Sequence, residues 1–99
     1  MDIQFHPAAE EEFSAAIDWY EAREKGLGID LASEVQACIK RAASMPQAWP
    51  EIEPGIRRVM AHRFPYGVLY AVTDKQLYVL AVMNLRRKPG YWKSRLGHV

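Results

Sequence analysis

The sequence has only one cysteine, Cys38, and therefore cannot form an internal disulfide. Cys38 lies among apolar residues at helical spacing, which is typical of a core residue rather than a nucleophile. Paired-cysteine zinc motifs, glycine-rich phosphate loops and nucleophile elbows are also missing. The three histidines, His6, His62 and His98, lack the spacing of metal ligands. We therefore expect neither a metal site nor a cofactor.

Long apolar segments are missing as well. The longest apolar stretch, residues 77–85, is interrupted by Asn84 and is much shorter than the roughly 20 residues that cross a bilayer. Residues 1–4 have neither the basic start nor the apolar core of a secretory signal. We expect a cytoplasmic protein without a membrane segment. With 99 residues, 49% of them hydrophobic, the chain is expected to form one domain over residues 1–99.

Charge is unevenly distributed along the chain, although the formal net charge is only +1. Residues 1–54 carry 4 Lys or Arg and 11 Asp or Glu, whereas residues 55–99 carry 9 Lys or Arg and 1 Asp or Glu. This division predicts a basic face, built from the C-terminal half, that attracts phosphates or acidic protein segments. The alternative is that the two halves simply pair with each other at the surface.

Hydrophobic spacing predicts a short strand followed by two helices. Residues 3–5 alternate in polarity, as in a strand. A helix is expected over residues 7–25, where apolar residues recur at intervals of three and four, with Gly26 as its C-terminal cap. A second helix is expected from residue 27 or 29 to residue 45, and Pro46 ends it. The short connection requires the two helices to form an antiparallel hairpin.

The remaining chain is expected to be extended. Residues 46–54 contain three prolines and predict an ordered connecting loop. Strands are expected over residues 56–63, 67–72 and 77–83, and the last of these is apolar on both faces, as in a central strand. The predicted fold is α+β: a strand, a helical hairpin, then an antiparallel sheet of three or more strands with a short basic C-terminal tail.

A series of short motifs covers nearly the whole chain, from about residue 7 to residue 95. The motifs are Trp19-Tyr20-Glu21, Gly26-Leu27-Gly28, Arg57-Arg58, Phe64-Pro65-Tyr66, Tyr70, Leu80-Ala81-Val82 and Arg86-Arg87-Lys88-Pro89-Gly90-Tyr91-Trp92. None is specific alone, but their order and spacing together resemble the RelE/ParE superfamily. This superfamily comprises toxins of type II toxin–antitoxin systems, including plasmid-stabilisation proteins.

The resemblance implies a cognate antitoxin that wraps the toxin and masks its active surface. It also implies growth inhibition by one of two activities. RelE-like members cut messenger RNA in the ribosomal A site, whereas ParE-like members poison DNA gyrase. A third alternative is an inactive relative that is retained only as an antitoxin-binding module.

The resemblance also suggests residues for each activity. A metal-independent ribonuclease needs a base, an acid and cations around the phosphate. If the chain is a nuclease, the catalytic candidates are Arg57, Arg58, Arg86 and Tyr91. The candidates for binding a target or phosphate are Arg63, Arg86, Arg87 and Trp92. Arg86 and Arg87 are favoured because they follow the predicted central strand on a loop, although a solvated tail is the alternative.

One position departs from the nuclease pattern. RelE-like members have an arginine in the turn before the Tyr70 strand, whereas this chain has Gly67 after Tyr66. The basic pairs are arginines, which stay protonated and cannot act as a general base at neutral pH. His62 is a possible base, but an isolated histidine on a strand is more often structural. We therefore favour the ParE-like, gyrase-inhibiting mode over the RelE-like nuclease.

Several aromatic residues have simpler structural interpretations. Trp19 and Tyr20 are expected to pack one helix against the other or against the sheet. Tyr66 and Tyr70 are expected to lie in the sheet with their hydroxyls bonded to local partners. A turn at residues 89–90 is expected to return the following aromatic residues to the sheet.

Overall fold

A computed structural model describes the backbone of residues 1–98 and the side chains of residues 1–96. The last residue of the predicted 1–99 domain therefore lies outside the described residues. Along the chain the elements are β1 (Asp2–Phe5), α1 (Pro7–Arg23), α2 (Leu27–Ser44), β2 (Glu51–Glu53), β3 (Ile56–Met60), β4 (Tyr66–Thr73), β5 (Gln76–Asn84) and a 3₁₀ segment, η1 (Tyr91–His98). This order confirms the predicted α+β class.

The strands form one five-stranded sheet in the order β1-β5-β4-β3-β2. The pairs from β5 to β2 are antiparallel, as predicted, but β1 pairs with β5 in parallel, so the sheet is mixed. A parallel pair needs a long connection, which the chain between β1 and β5 supplies. The position of β5 between β1 and β4 explains why it is apolar on both faces. Strand β2 was not predicted, because it is short and lies in the proline-containing loop of residues 46–54.

The two faces of the sheet are covered by different parts of the chain. Helices α1 and α2 cover one face, and the core between them includes Leu31, Val35 and Tyr70. The other face carries a second apolar cluster, in which Leu80 and Met83 pack with Trp92 of η1. The predicted return of the C-terminal tail to the sheet is therefore confirmed. The left-handed backbone of Gly90 (φ 83°) provides the turn.

The helical hairpin depends on close contact between α1 and α2. The carboxylate of Glu21 accepts hydrogen bonds from the backbone nitrogens of Gly26 at 2.9 Å and Gly28 at 3.0 Å. A Cβ at Gly28 would lie 2.5 Å from the carbonyl oxygen of Ile17. The prediction that Gly26 caps the first helix is wrong: it is the N-cap of α2, and Glu24 is the C-cap of α1.

Cys38 is fully buried in the main core, where burial raises the pKa of its thiol. Within residues 1–98, no helix is long and apolar enough to cross a membrane. The described side chains, those of residues 1–96, bring together no group of three His, Cys, Asp or Glu residues that could hold a metal ion.

Candidate functional site

Glu12 of α1 binds side chains of the C-terminal segment and holds that segment against the rest of the molecule. Its Oε1 accepts hydrogen bonds from the backbone nitrogen of Val82 at 3.1 Å and from Nη1 of Arg95 at 2.9 Å. Its Oε2 accepts from the hydroxyl of Tyr91 at 2.6 Å, from Nη2 of Arg95 at 2.8 Å and from Nη1 of Arg87 at 3.4 Å. The Glu12 side chain is only 15% exposed, and a sheltered charge requires such partners. We call this set of contacts the Glu12 network.

The Glu12 network fixes the environment of two predicted site residues, Tyr91 and Trp92. Burial, and then the hydrogen bond to Glu12, raises the pKa of the Tyr91 phenol. Trp92, the next residue, is only 3% exposed and belongs to the second apolar cluster. Tyr91 therefore stays protonated and donates its hydroxyl hydrogen bond to a carboxylate of its own chain. A partner reaches the Trp92 ring only if η1 moves.

Arg57, a nuclease candidate, fastens the loop of residues 46–54 to the sheet. Its Nη1 donates to the carbonyl oxygens of Trp49 and Gln47, and its Nη2 lies 3.5 Å from a carboxylate oxygen of Glu51. Tyr70 pairs with Arg57 across β3 and β4 and donates its hydroxyl to a carbonyl of the same loop at 2.7 Å. The guanidinium of Arg57 thus has its hydrogen-bond and ion-pair partners within the chain itself. The prediction that the Tyr70 hydroxyl has a local partner is confirmed.

Arg58 lies on the opposite face of the sheet from Arg57, because adjacent residues of a strand point in opposite directions. It lines a cavity of about 210 Å³ together with Glu53, Trp92 and Lys93. A Cβ built on Gly67 would lie 3.3 Å from Cγ and Cδ of Arg58. The side chain of Arg58 therefore covers the position where the nuclease pattern has another arginine.

Arg63 and His62 lie beside α2. Nη1 of Arg63 contacts a carboxylate oxygen of Asp30 at 3.0 Å, and both side chains are at least half exposed. The backbone nitrogens of His62 and Arg63 donate to the carboxylate of Glu34. The expectation that His62 lies on a strand is wrong, because β3 ends at Met60 and the Glu34 contacts hold a bend after it.

A cleft of about 390 Å³ separates α1 from the adjoining ends of β4 and β5. We call it the α1–sheet cleft, and its lining consists of Glu12, Ala15, Ala16, Trp19, Tyr20, Pro65, Tyr66, Val82, Asn84, Arg86 and Arg87. Tyr20 packs as predicted, with its ring 5.0 Å from that of Phe64. The expectation that Trp19 packs between elements is wrong: its side chain is 51% exposed at the cleft. The helical spacing of apolar residues does not show where the sheet ends, so it could not predict that no strand covers Trp19.

The four nuclease candidates lie in different surroundings. Arg57 lines a cavity of about 190 Å³ with Tyr70, and Arg58 lines the separate cavity beside Trp92. Arg86 lines the α1–sheet cleft, whereas Tyr91 belongs to the Glu12 network. The structure thus brings Arg86 together with Arg87, but it does not gather all four residues around one cavity. Their roles stay predictions.

The charge asymmetry is partly used inside the molecule. Five ion pairs join described side chains, and each links an acidic residue of the first 54 with a basic residue of the remainder. The basic members are Arg57, Arg63, Arg87, Lys93 and Arg95. Pairing between the two halves therefore accounts for these cations. Among the described side chains, Arg58, Lys75, Arg86 and Lys88 have no ion pair and remain available to a partner.

The helical hairpin, the mixed sheet and the basic C-terminal segment are consistent with the α+β fold of the RelE/ParE class. A family model described as the ParE toxin of the type II toxin-antitoxin system, parDE, matches residues 3–89. The chain therefore belongs to the ParE toxin family, which confirms the resemblance seen in its motifs.

A solved structure shows the same fold. It is titled "Chromosomal ParDE TA system from P. aeruginosa" and matches with a TM-score of 0.63. The alignment covers 87% of this chain and 97% of that chain at 18% sequence identity. A comparison with curated proteins finds no match.

Proposed function

We propose that this chain is the toxin of a type II toxin–antitoxin pair, that it arrests growth by inhibiting DNA gyrase, and that a cognate antitoxin neutralises it. Membership of the ParE family over residues 3–89 is the observation that carries the proposal. Inhibition of this kind requires a surface that binds a protein, not a catalytic centre. The proposal requires no cofactor.

The surroundings of two nuclease candidates support this proposal. Arg57 is engaged by two carbonyl oxygens of its own chain and by Glu51. Tyr91 has a raised pKa and donates to Glu12, so it is poorly suited to protonate a leaving oxygen at neutral pH.

A supercoiling assay tests the gyrase proposal. Purified gyrase acts on relaxed plasmid with increasing amounts of this chain, and we expect supercoiling to be lost as the toxin is added. Arg86→Ala should weaken inhibition, because Arg86 is exposed and without an ion pair, whereas Lys75→Ala is the matched control. Full supercoiling at saturating wild-type toxin would show that gyrase is not the target.

A ribosome-dependent messenger RNA endonuclease is the second candidate function. The observation that favours it is that Arg58 and Arg86 have no ion pair among the described side chains, so both remain available to phosphate. Mapping the five-prime ends of cellular messages after induction tests it. New ends in phase with codons support the nuclease. If both supercoiling and messages stay intact and growth continues, the chain is an inactive, antitoxin-binding relative.

The proposed targets also suggest where the chain acts. Gyrase, ribosomes and messenger RNA are all found in the bacterial cytoplasm, and we infer that the toxin works there. We also propose that residues 1–99 act as one domain, since the elements share a single sheet.

A further inference from the structure

We propose that the α1–sheet cleft is the docking site of the antitoxin, and that it takes one large apolar side chain flanked by carboxylates. This inference rests on the antitoxin of the proposed function and names the surface that the antitoxin uses. Charge alone would place the antitoxin anywhere on the basic half of the chain, whereas the α1–sheet cleft gives it one position.

Trp19 provides the apolar anchor of the cleft. Its side chain is 51% exposed, yet the ring is held in place by its neighbours. The guanidinium of Arg23 lies 3.3 Å from the ring centroid, and Tyr20 makes an edge contact at a centroid distance of 4.9 Å. A large ring that is already ordered loses little conformational entropy on binding. Such exposed Trp residues, beside Tyr and Arg, have the composition of interface hot spots.

The charges around the cleft determine the chemistry of the partner. The carboxylate of Glu12 is the acidic group in the lining, and Arg95 and Tyr91 already donate to it. Arg87 pairs weakly with Glu12 at 3.4 Å, and Arg86 has no ion pair among the described side chains. The rim therefore presents uncompensated positive charge. Carboxylates on the partner complement that charge.

The shape of the cleft favours an inserted segment. It is concave, lies between a helix and the end of a sheet, and has apolar walls at Ala15, Pro65 and Val82. An amphipathic helix or extended segment places alternate or successive apolar side chains into a groove of this kind while its polar residues face the rim. An acidic amphipathic segment satisfies both the walls and the rim.

The test uses the product of the gene adjacent to this one, purified with the wild-type chain and with four variants. Trp19→Ala and Arg86→Glu alter the cleft. The matched controls are Ile29→Ala, which removes an exposed apolar side chain from α2, and Lys40→Glu, which makes the same charge change elsewhere on α2. All four residues are exposed, so thermal unfolding should confirm that each variant folds. Overlapping 20-residue peptides from the adjacent gene's product then locate the binding segment.

We expect Trp19→Ala and Arg86→Glu each to raise the Kd at least tenfold, and the two controls to change it less than twofold. The binding peptide should contain a large apolar residue next to Asp or Glu, and replacing that acid by Lys should restore binding to Arg86→Glu. If the adjacent product binds wild type and neither cleft variant changes its Kd, the cleft is not the docking site, although the product is still an antitoxin candidate. Failure of the adjacent product to bind wild type overturns both. Neither outcome depends on the supercoiling assay.

Discussion

At the residue scale, Glu12 links three parts of the molecule that are distant in sequence. Its carboxylate, on α1, accepts hydrogen bonds from β5 and from two residues of η1. Tyr91 and Arg95 are 79 and 83 positions away from it. One carboxylate thus holds three side chains of the C-terminal segment, those of Arg87, Tyr91 and Arg95. Removing its charge should therefore release η1.

Glu12→Gln should lower the free energy of unfolding by about 2–4 kcal/mol, because Arg95, only 12% exposed, would lose its charged partner. Denaturant unfolding measures this loss, and Trp92 fluorescence should move to longer wavelength as η1 loosens. Glu11→Gln is the control, since Glu11 is exposed in the same helical turn and should change stability by less than about 0.5 kcal/mol. Equal effects of the two substitutions would contradict the structural role of the Glu12 network.

The raised pKa of Tyr91 predicts a dependence of stability on alkaline pH. The folded state holds the phenolic proton more tightly than the unfolded state, in which a tyrosine has a pKa of about 10. The resulting stabilisation is complete below that pH and is lost as the pH rises through the folded-state pKa.

Tyr91→Phe separates this contribution from that of the other tyrosines. At neutral pH the variant should be less stable by about 1–2 kcal/mol, because it lacks the hydrogen bond to the Glu12 carboxylate. As the pH rises above about 10 it should lose less stability than wild type, since it has no phenolic proton at this position. Chemical unfolding at a series of pH values measures both. The same alkaline decline in both proteins would contradict the role of Tyr91.

Sequence reasoning did not identify Glu12 as a site residue. It is the last of three consecutive glutamates, a pattern sufficiently explained by the helix dipole at the start of α1. Only the packing of α1 beside β5 makes Glu12 different from Glu10 and Glu11, and that packing is not a local property. Arg86, by contrast, comes two residues after the end of an apolar strand, so its position at the sheet end was predictable.

At the element scale, the helical hairpin requires a glycine at position 28. A Cβ there would lie 2.5 Å from the carbonyl oxygen of Ile17 and 2.9 Å from Cβ of Glu21. The first of these atoms is backbone, so α1 and α2 would have to move apart. The close contact of α1 and α2 therefore explains why the Gly26-Leu27-Gly28 motif has a glycine at position 28.

Gly28→Ala should destabilise the protein by about 1–3 kcal/mol, despite the higher helix propensity of alanine. Thermal unfolding followed by circular dichroism measures the change. Ser33→Ala, an exposed position in the same helix, is the control and should be neutral or slightly stabilising. A Gly28→Ala variant as stable as wild type would mean that the two helices are not in close contact at this point.

The elements that sequence patterns predicted well are those with local signals. Both helices and the strands β3, β4 and β5 have periodic apolar residues and clear breaks such as Pro46 and Pro65. The parallel pairing of β1 with β5 joins Ile3 to Leu77, and no local pattern encodes a partner that distant. Strand β2 is three residues long with two glutamates, so its pairing depends on β3 rather than on its own composition.

At the scale of the whole molecule, the opposite charges of the two halves pair with each other in part. The basic side chains of residues 1–96 that are left without an ion pair are available to a partner. Ion pairs such as Arg63–Asp30 and Lys93–Glu53 bring the halves together. The cations left over include Arg86 at the α1–sheet cleft, where Trp19 is exposed. Composition predicted a basic half, but only the fold shows which of its charges are already paired.

The central claim is that this chain arrests growth through gyrase. The measurement that tests it most directly is the topology of a reporter plasmid, taken from cells soon after the chain is induced without an antitoxin. A loss of negative supercoiling at the onset of growth arrest is the predicted result, and Arg86→Ala should reduce it while Lys75→Ala does not. Growth arrest with a normally supercoiled plasmid would contradict the account.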